Sequence, residues 1–401
     1  MPTISGAWRR TAAGAGLLGD DGSIAPTIFA EMTQLAAESG AINLGQGFPD
    51  EDPPAAVRAA AERAIRDGAN QYPPGRGIAE LREAISEHQR RFYGLSVDPE
   101  REAVVTAGAT EALSATLLAL IGSPDDEVVV FEPYYDSYAA CVALAGGRLR
   151  TVQLRWPDFQ PDPQELADAV TDRTRAILVN DPHNPTGAVF SAEIRAQIAA
   201  LAERHDAVII TDEVYEHMVF DGPHVPIATL PEAAGRTLTI SSGGKTFSAT
   251  GWKIGWVTGS ADLVTAVLTV KQFLTYAGGA PFQPAIAAGL RLPDEYFRGI
   301  ADDMRRKKDV LGAGLRAAGL AVSSPAGSYF TIADAGALGA ADAAEFCREL
   351  PRTAGVVGIP VTAFTTPEHR AEYASLVRFA ACKRVSVLEQ AAERLAALSA
   401  A

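Results

Sequence analysis

Seven short apolar runs that alternate with amphipathic segments are the feature that most constrains how this chain can fold. Several of the runs are continuously apolar, which is typical of strands buried on both faces of a parallel sheet. The segments between them include residues 110–121, 192–205 and 262–275, which carry helical spacing. The runs span residues 103–106, 127–131, 149–154, 176–180, 208–212, 237–241 and 254–258. This alternation predicts an α/β fold with a mostly parallel, seven-stranded sheet between helices.

The pattern changes after about residue 290, where a smaller α+β domain is predicted. A long charged helix over residues 294–318 is followed by short apolar runs and by helices over residues 342–350 and from Val385 onward. The predicted organisation comprises a flexible tail (residues 1–22), an N-terminal segment of the small domain (23–47), the large domain (48–290) and the small C-terminal domain (291–401).

Charge and composition exclude several classes of partner. The chain has 35 Lys and Arg against 49 Asp and Glu, a net charge of −14, which argues against binding to nucleic acid or to an anionic membrane. No apolar run approaches the roughly 18 residues of a spanning helix, and no secretory leader is recognisable, so a cytoplasmic location is expected. The three cysteines and six histidines lack the spacing of disulfide frameworks or metal sites, so no metal is expected.

Two glycine-rich stretches resemble nucleotide-binding motifs without meeting their requirements. Residues 14–19 match GxGxxG, but no predicted strand precedes them and no helix start follows. Residues 243–246 resemble the end of a phosphate-binding loop, yet Thr239 stands where that motif needs a glycine. Neither a dinucleotide site nor a triphosphate site is therefore predicted.

Polar residues cluster just past the ends of the predicted strands, where open α/β sheets bind ligands. They include Asn184, Asp212, Tyr215 and Lys245, and a strand-to-helix loop over residues 106–111 could bind phosphate through free backbone N–H groups. A buried lysine can form a Schiff base with an aldehyde cofactor. An aspartate can keep a pyridine nitrogen protonated, so that the ring takes up carbanion electrons.

These residues lie within motifs that together resemble one protein family. The chain resembles the fold type I, class I/II pyridoxal-phosphate-dependent aminotransferases from about Ile24 to its C-terminus, and within them the N-succinyldiaminopimelate and kynurenine/glutamine aminotransferase groups. The motifs are NLGQGFPD at 43–50, NQY at 70–72, HNPTG at 183–187, DEVY at 212–215, SGGKTF at 242–247, GWKIGW at 251–256 and LVRF at 376–379.

The resemblance implies a role for each matching residue. Lys245 would be the Schiff-base lysine and proton shuttle, Asp212 the partner of the pyridinium nitrogen, and Tyr215 and Asn184 contacts of the ring hydroxyl. The other implied cofactor contacts are Tyr134 stacked on the ring, Ala109, Thr110, Ser242 and Lys253 at the phosphate, and Tyr72 reaching the phosphate of the partner subunit in a homodimer. For the substrate, Arg378 and the Gly47 backbone would bind the α-carboxylate, Asn184 would contribute, and Phe29 would border the side-chain pocket.

The implied activity is transfer of the amino group of an L-α-amino acid to a 2-oxo acid such as 2-oxoglutarate. Elimination, replacement and carbon–carbon bond formation begin with the same carbanion and remain alternatives, and a non-catalytic binding module is a third hypothesis. The donor could be N-succinyl-LL-diaminopimelate or a kynurenine- or glutamine-like amino acid. An N-succinyl donor has a remote carboxylate that needs a second cation, which residue order alone does not identify.

Overall fold

The computed structural model of the protein describes residue 4, residues 6–19, residues 21–396 and residue 398. Its helices alternate with strands through the large domain, as predicted. The α-helices are α1 (Ala7–Gly14), α2 (Ile28–Ser39), α3 (Ala55–Arg66), α4 (Ala79–Tyr93), α5 (Gly108–Leu120), α6 (Ser137–Ala145), α7 (Pro163–Ala169), α8 (Ala192–Arg204), α9 (Gly243–Thr246), α10 (Ala261–Lys271), α11 (Phe282–Leu290), α12 (Asp294–Ala317), α13 (Ala343–Thr353) and α14 (Val385–Leu395).

The strands form one large sheet and two smaller ones. They are β1 (Ile42–Asn43), β2 (Ala103–Thr106), β3 (Glu127–Glu132), β4 (Arg148–Gln153), β5 (Thr174–Asn180), β6 (Val208–Asp212), β7 (Thr237–Ser242), β8 (Gly255–Gly259), β9 (Ala321–Val322), β10 (Phe330–Asp334), β11 (Val356–Val357), β12 (Ile359–Pro360) and β13 (Leu376–Ala380). The large sheet has the order β2-β8-β7-β6-β5-β3-β4. Strand β8 is antiparallel to both neighbours and the other pairs are parallel, which confirms the predicted fold class.

Successive residues of the central strands enter two different cores, which explains their continuous hydrophobicity. On one face, Ile177 and Ile209 pack with Ile198 of α8. On the other, Leu178 and Ile210 pack with apolar residues of α5 and α10. Each such side chain contributes roughly 1.5–3 kcal/mol on burial, so both faces of the sheet stabilise the large domain.

The smaller sheets involve the C-terminal part of the chain. One is antiparallel, in the order β12-β13-β10-β9. In the other, β1 pairs in parallel with β11, with Ile42 opposite Val356, which ties the N-terminal segment to the C-terminal elements. The boundaries at residues 22, 47 and 290 stay predictions. Among the described helices, none is long and apolar enough to cross a bilayer.

The N-terminal region differs from the flexible tail that the sequence predicts. Residues 7–14 form α1, which packs on α6 so closely that a β-carbon on Gly14 would lie 2.5 Å from Cβ of Ala143. The Arg10 guanidinium also donates through Nε to the Ala143 carbonyl, at 2.5 Å. An isolated helix of this length is marginal in water, so packing on α6 accounts for its order. Residues 1–3, 5 and 20 of the predicted tail lie outside the described residues.

Candidate active site

A cavity of about 350 Å³ opens at the carboxyl ends of β5, β6 and β7. The parallel register places Asn180 opposite Asp212, and Asp212 opposite Ile240, so the residues that follow these strands converge on one edge of the sheet. Most of the predicted site residues line this cavity. They are Phe29, Gly47, Ala109, Thr110, Asn184, Asp212, Tyr215, Ser242, Lys245, Lys253 and Arg378.

Lys245 reaches the cavity from the short helix α9. Its Nζ donates to the Gly47 carbonyl at 3.2 Å and to the Tyr329 hydroxyl at 3.0 Å. Burial lowers the pKa of Lys245, although the negative charge of Asp212 opposes that shift. A lowered pKa favours the neutral amine, which is the nucleophilic form.

Asp212 ends β6 with its carboxylate in the cavity wall. Its Oδ2 accepts a hydrogen bond of 2.7 Å from the Tyr138 hydroxyl, and Oδ1 has only a long contact of 3.5 Å with the Val214 N–H. Burial raises the pKa of Asp212, while the bond from Tyr138 counteracts part of the shift. A buried carboxylate with one weakly satisfied oxygen can receive a cationic N–H donor.

Arg378 is a buried cation held by neutral groups. Its Nη1 donates to Oδ1 of Asn184 at 2.9 Å and its Nη2 to the Gly45 carbonyl at 2.6 Å, while Nε has no partner among the described residues. The guanidinium carbon lies 4.3 Å from the ring centroid of Phe330 and 4.6 Å from that of Phe364. Burial lowers the pKa of Arg378 to about 10. Since no carboxylate of the described residues pairs with it, this guanidinium is suited to bind an anionic ligand.

The first turn of α5 forms a wall of the cavity that is suited to an anion. Its leading N–H groups have no intrahelical partners, and the positive end of the helix dipole points the same way. Lys253 stands beside it, and a β-carbon on Gly108 would lie 3.2 Å from the Lys253 Nζ. Lys253 has φ +54°, a left-handed conformation that costs an L-residue about 1 kcal/mol and that holds its side chain at this wall.

Two predicted cofactor contacts lie outside the cavity. Tyr134, which the resemblance places on the ring, instead lines a second cavity, and the neighbouring Tyr135 lines this one. The backbone N–H of Tyr134 donates to the Phe364 carbonyl at 2.8 Å, which holds this loop against the segment that carries Phe364. Tyr72 is 79% exposed on the surface of this chain.

Several residues of the site were missed by sequence reasoning. Tyr138 and Tyr329 contact Asp212 and Lys245, and Asn180 links the Asp212 carbonyl to the Asn184 N–H through bonds of 2.8 and 2.7 Å. Asn180 ends a predicted strand next to the HNPTG motif, which was a usable signal. Tyr329 stands at the start of a small-domain run, 84 residues beyond Lys245, and nothing in its local pattern indicates the contact.

Comparison with known proteins agrees with this geometry. The chain matches the family Aminotransferase class I and II over residues 39–395. A probable N-succinyldiaminopimelate aminotransferase of Mycobacterium tuberculosis is 49% identical over 385 residues, covering 94% of this chain and 96% of the relative. The methionine aminotransferase of Escherichia coli is 38% identical over 370 residues, covering 92% and 95%.

The fold comparison gives the same result. The solved structure of N-succinyldiaminopimelate aminotransferase from M. tuberculosis superposes with a TM-score of 0.91 at 48% identity, over 99% of this chain and 100% of that one. The family match and these relatives each extend over nearly the whole chain, and the cavity carries the residues that the family motifs predict. The chain therefore belongs to the class I and II aminotransferases and is an enzyme of that family.

Proposed function

We propose that this aminotransferase uses pyridoxal 5'-phosphate held by Lys245 to move the amino group of an L-α-amino acid to a 2-oxo acid such as 2-oxoglutarate. One observation carries the proposal. Lys245, Asp212 and the first turn of α5 line the same cavity, so an amine, a carboxylate and an anion-binding wall face one space. Those three groups match the aldehyde, the ring nitrogen and the phosphate of this cofactor.

The phosphate end of the cavity has the shape that this cofactor requires. A β-carbon on Gly255 would lie 2.6 Å from the Gly108 carbonyl carbon and 2.8 Å from the Ala109 nitrogen, so only glycine lets β8 approach the start of α5 this closely. Ser242 and Lys253 complete this wall with a hydroxyl and an ammonium. These groups fit a phosphate dianion, since N–H groups, a hydroxyl and a cation converge on it.

The ring would lie between Asp212 and Tyr135, with Tyr215 and Asn184 near its hydroxyl oxygen. When bound, the cofactor supplies an aldehyde that links to an amine and a protonated ring that takes up electrons. Lys245, released from that link by an amino donor, would take the α-proton on Nζ and return it. Its lowered pKa suits this exchange, since a base works best with a pKa near the operating pH.

Arg378 would orient the donor through its α-carboxylate. The guanidinium offers parallel N–H donors that match a carboxylate. Since Asn184 and Gly45 position Arg378 between the large domain and the N-terminal segment, the donor would complete a contact between these parts. Named relatives act on N-succinyldiaminopimelate, methionine and kynurenine, and we infer a donor of these classes for this chain.

The half-reaction with glutamate tests this function. The purified chain, loaded with pyridoxal 5'-phosphate, should lose the absorbance of the lysine-bound cofactor on addition of L-glutamate and regain it on addition of 2-oxoglutarate. A panel of amino donors, followed by the oxo acids formed, then identifies the preferred donor. Loss of ammonia or of a side-chain fragment without formation of the amino form of the cofactor would contradict transamination and favour another carbanion reaction.

We also propose a homodimer with shared active sites. The side chain of Tyr72 is 79% exposed, and its ring centroid lies 5.8 Å from that of Tyr276, which with Phe273 adds to an exposed aromatic surface. Such a surface favours association. Sedimentation of the loaded enzyme should give twice the chain mass, and Tyr72→Phe should weaken cofactor binding; a monomer with full activity would contradict this arrangement.

The three cysteines are free and buried, which supports the cytoplasmic location that we also propose.

A further inference from the structure

A second cavity, of about 890 Å³, lies on the other side of one wall of the active site. Phe29 and Tyr135 line the active-site cavity, whereas their chain neighbours Ile28 and Tyr134 line the second one. Phe364 completes the wall, with its ring centroid 5.9 Å from that of Phe29. The wall therefore includes the aromatic residues Phe29, Tyr135 and Phe364.

The polar groups of the second cavity include Arg370, whose side chain is exposed to solvent. Arg370 lines it and makes no side-chain hydrogen bond or ion pair with any residue that the structure describes. By contrast, the other arginine in the lining, Arg348, donates through Nε to Oε1 of Glu31 at 2.7 Å. Of these two guanidinium groups, only that of Arg370 lacks a partner among the described residues and can therefore bind a ligand.

Tyr134 is the second unused donor of this cavity. Its hydroxyl makes no hydrogen bond with a described residue, although the tyrosine is only 6% exposed. Burial and the negative charge of Glu132 raise the pKa of Tyr134, and the positive charge of Arg370 opposes that rise, so both charged groups lie near the Tyr134 hydroxyl. A guanidinium beside a phenol O–H offers the donors that a carboxylate accepts.

We propose that the second cavity binds the distal, carboxylate-bearing end of a long amino donor, with Arg370 and Tyr134 as the groups that select it. This inference rests on the proposed function. With the α-carboxylate on Arg378, a side chain longer than that of glutamate would pass between Phe29 and Tyr135 into the second cavity. The remote carboxylate would then neutralise Arg370.

Asp136 restricts where in the second cavity that carboxylate can bind. It lines the same cavity next to α6, and burial raises its pKa while Arg378 lowers it. A negative Asp136 would repel a carboxylate at the α6 side of the cavity, so the anion is directed toward Arg370. Neutral long donors would enter the cavity without using either polar group.

Two donors of equal length separate charge recognition from chain length. L-2-aminosuberate ends in a carboxylate and L-2-aminooctanoate ends in a methyl group. The loaded wild-type enzyme should have the higher kcat/KM for aminosuberate. Arg370→Gln should raise the KM for aminosuberate about 10–100-fold, the effect of losing a charged hydrogen bond of roughly 1.5–3 kcal/mol, and should change that for aminooctanoate less than about twofold. Tyr134→Phe should also raise the KM for aminosuberate, by about 3–10-fold.

Arg352→Gln is the matched control, because Arg352 is an exposed arginine of α13 that pairs with Glu349 and lines neither cavity. This variant should leave the KM for both donors unchanged. Calorimetric titration of the loaded wild type with suberate should show binding that Arg370→Gln weakens, which reports on the subsite without turnover.

Equal changes for both donors in Arg370→Gln, or no wild-type preference for aminosuberate, would overturn the subsite. The glutamate half-reaction distinguishes this failure from failure of the proposed function. A normal half-reaction with an insensitive Arg370→Gln variant removes only the subsite, whereas an absent half-reaction removes the function on which it rests.

Discussion

The two neighbouring cavities differ in the parts of the chain that build them. The active-site cavity is built mainly from the ends of sheet strands and from the start of α5, where backbone hydrogen bonds fix each position. The second cavity is built from α1, α2, α6, α13 and loops of the small domain, and the side chains of Arg370 and Tyr134 make no hydrogen bonds with the residues that the structure describes. Under the two proposals, the chemistry shared by all donors takes place at the sheet and the donor is selected by the segments around it.

Replacing the lysine tests that comparison with the largest expected effect. Lys245→Ala should lower kcat by more than about 10⁴-fold for every donor, because it removes both a positioned proton-transfer group, which contributes up to about 10⁴-fold, and the amine that would link to the cofactor. Absorbance of the lysine-bound cofactor should disappear as well. Lys308→Ala, a lysine of α12 outside the active-site cavity, is the control and should keep both signals. Unchanged spectra in Lys245→Ala would place the cofactor linkage elsewhere.

Asp212→Asn should come next in size. The amide keeps the shape of the side chain and loses the charge that stabilises a protonated ring, so we expect kcat to fall about 10²–10⁴-fold, equivalent to roughly 3–5 kcal/mol. Cofactor affinity, measured by fluorescence titration, should change much less. Asp181→Asn is a matched control, because Asp181 is also buried beside the sheet end but does not line the active-site cavity. A fall below tenfold would contradict the role of Asp212.

Arg378→Lys should have a smaller effect that is independent of the donor. Lysine keeps the positive charge but loses the fork that binds a carboxylate through two bonds, so kcat/KM should fall about 10–100-fold. Cofactor absorbance should be retained. All donors share the α-carboxylate, so the loss should be equal for all of them. A loss for only some donors would instead assign Arg378 to donor selection and would contradict the division of roles between the two cavities.

Sequence reasoning was accurate where local pattern and tertiary structure coincide. The seven predicted runs of the large sheet each agree with an observed strand to within two residues at either end. Most of these strands are buried on both faces and therefore form continuous apolar runs, whereas the edge strand β4 is exposed over part of its length. Because the strand ends were predicted correctly, the residues at those ends were located correctly as well. Asp212, Ser242 and Lys245 therefore occupy the cavity that the resemblance implied.

Prediction failed where a side chain's direction depends on distant packing. Tyr134 and Tyr135 follow β3 in a loop without strand alternation, so their order does not show which one faces the active site. The loop is held by a backbone hydrogen bond from Tyr134 to Phe364, 230 residues away, which the local sequence does not reveal. Helix α1 was not predicted for a similar reason, because its order depends on packing against α6 rather than on its own helix propensity. Arg370 has no local motif, and only the fold brings it beside Tyr134.

The smallest expected effect concerns α6, the helix that borders both cavities. Ala139 and Ala143 of this helix line the second cavity, while the Tyr138 hydroxyl between them donates to Asp212 in the first. That bond lowers the pKa of Asp212 against the burial that raises it. Tyr138→Phe removes the bond and should therefore raise the pKa of Asp212 further.

The consequence appears in the pH profile. In the proposed role Asp212 is an anion, so kcat/KM should fall on the acid side as the carboxylate takes up a proton. A raised pKa moves that acid limb to higher pH, by about one to two units for a hydrogen bond to a charged group of roughly 1.5–3 kcal/mol. The shift should be the same for aminosuberate and aminooctanoate, because Asp212 serves every donor. Tyr134→Phe, on the other side of the wall, should leave the acid limb in place. An acid limb that moves in Tyr134→Phe, or that moves for one donor only, would mean that the two cavities do not separate chemistry from selection.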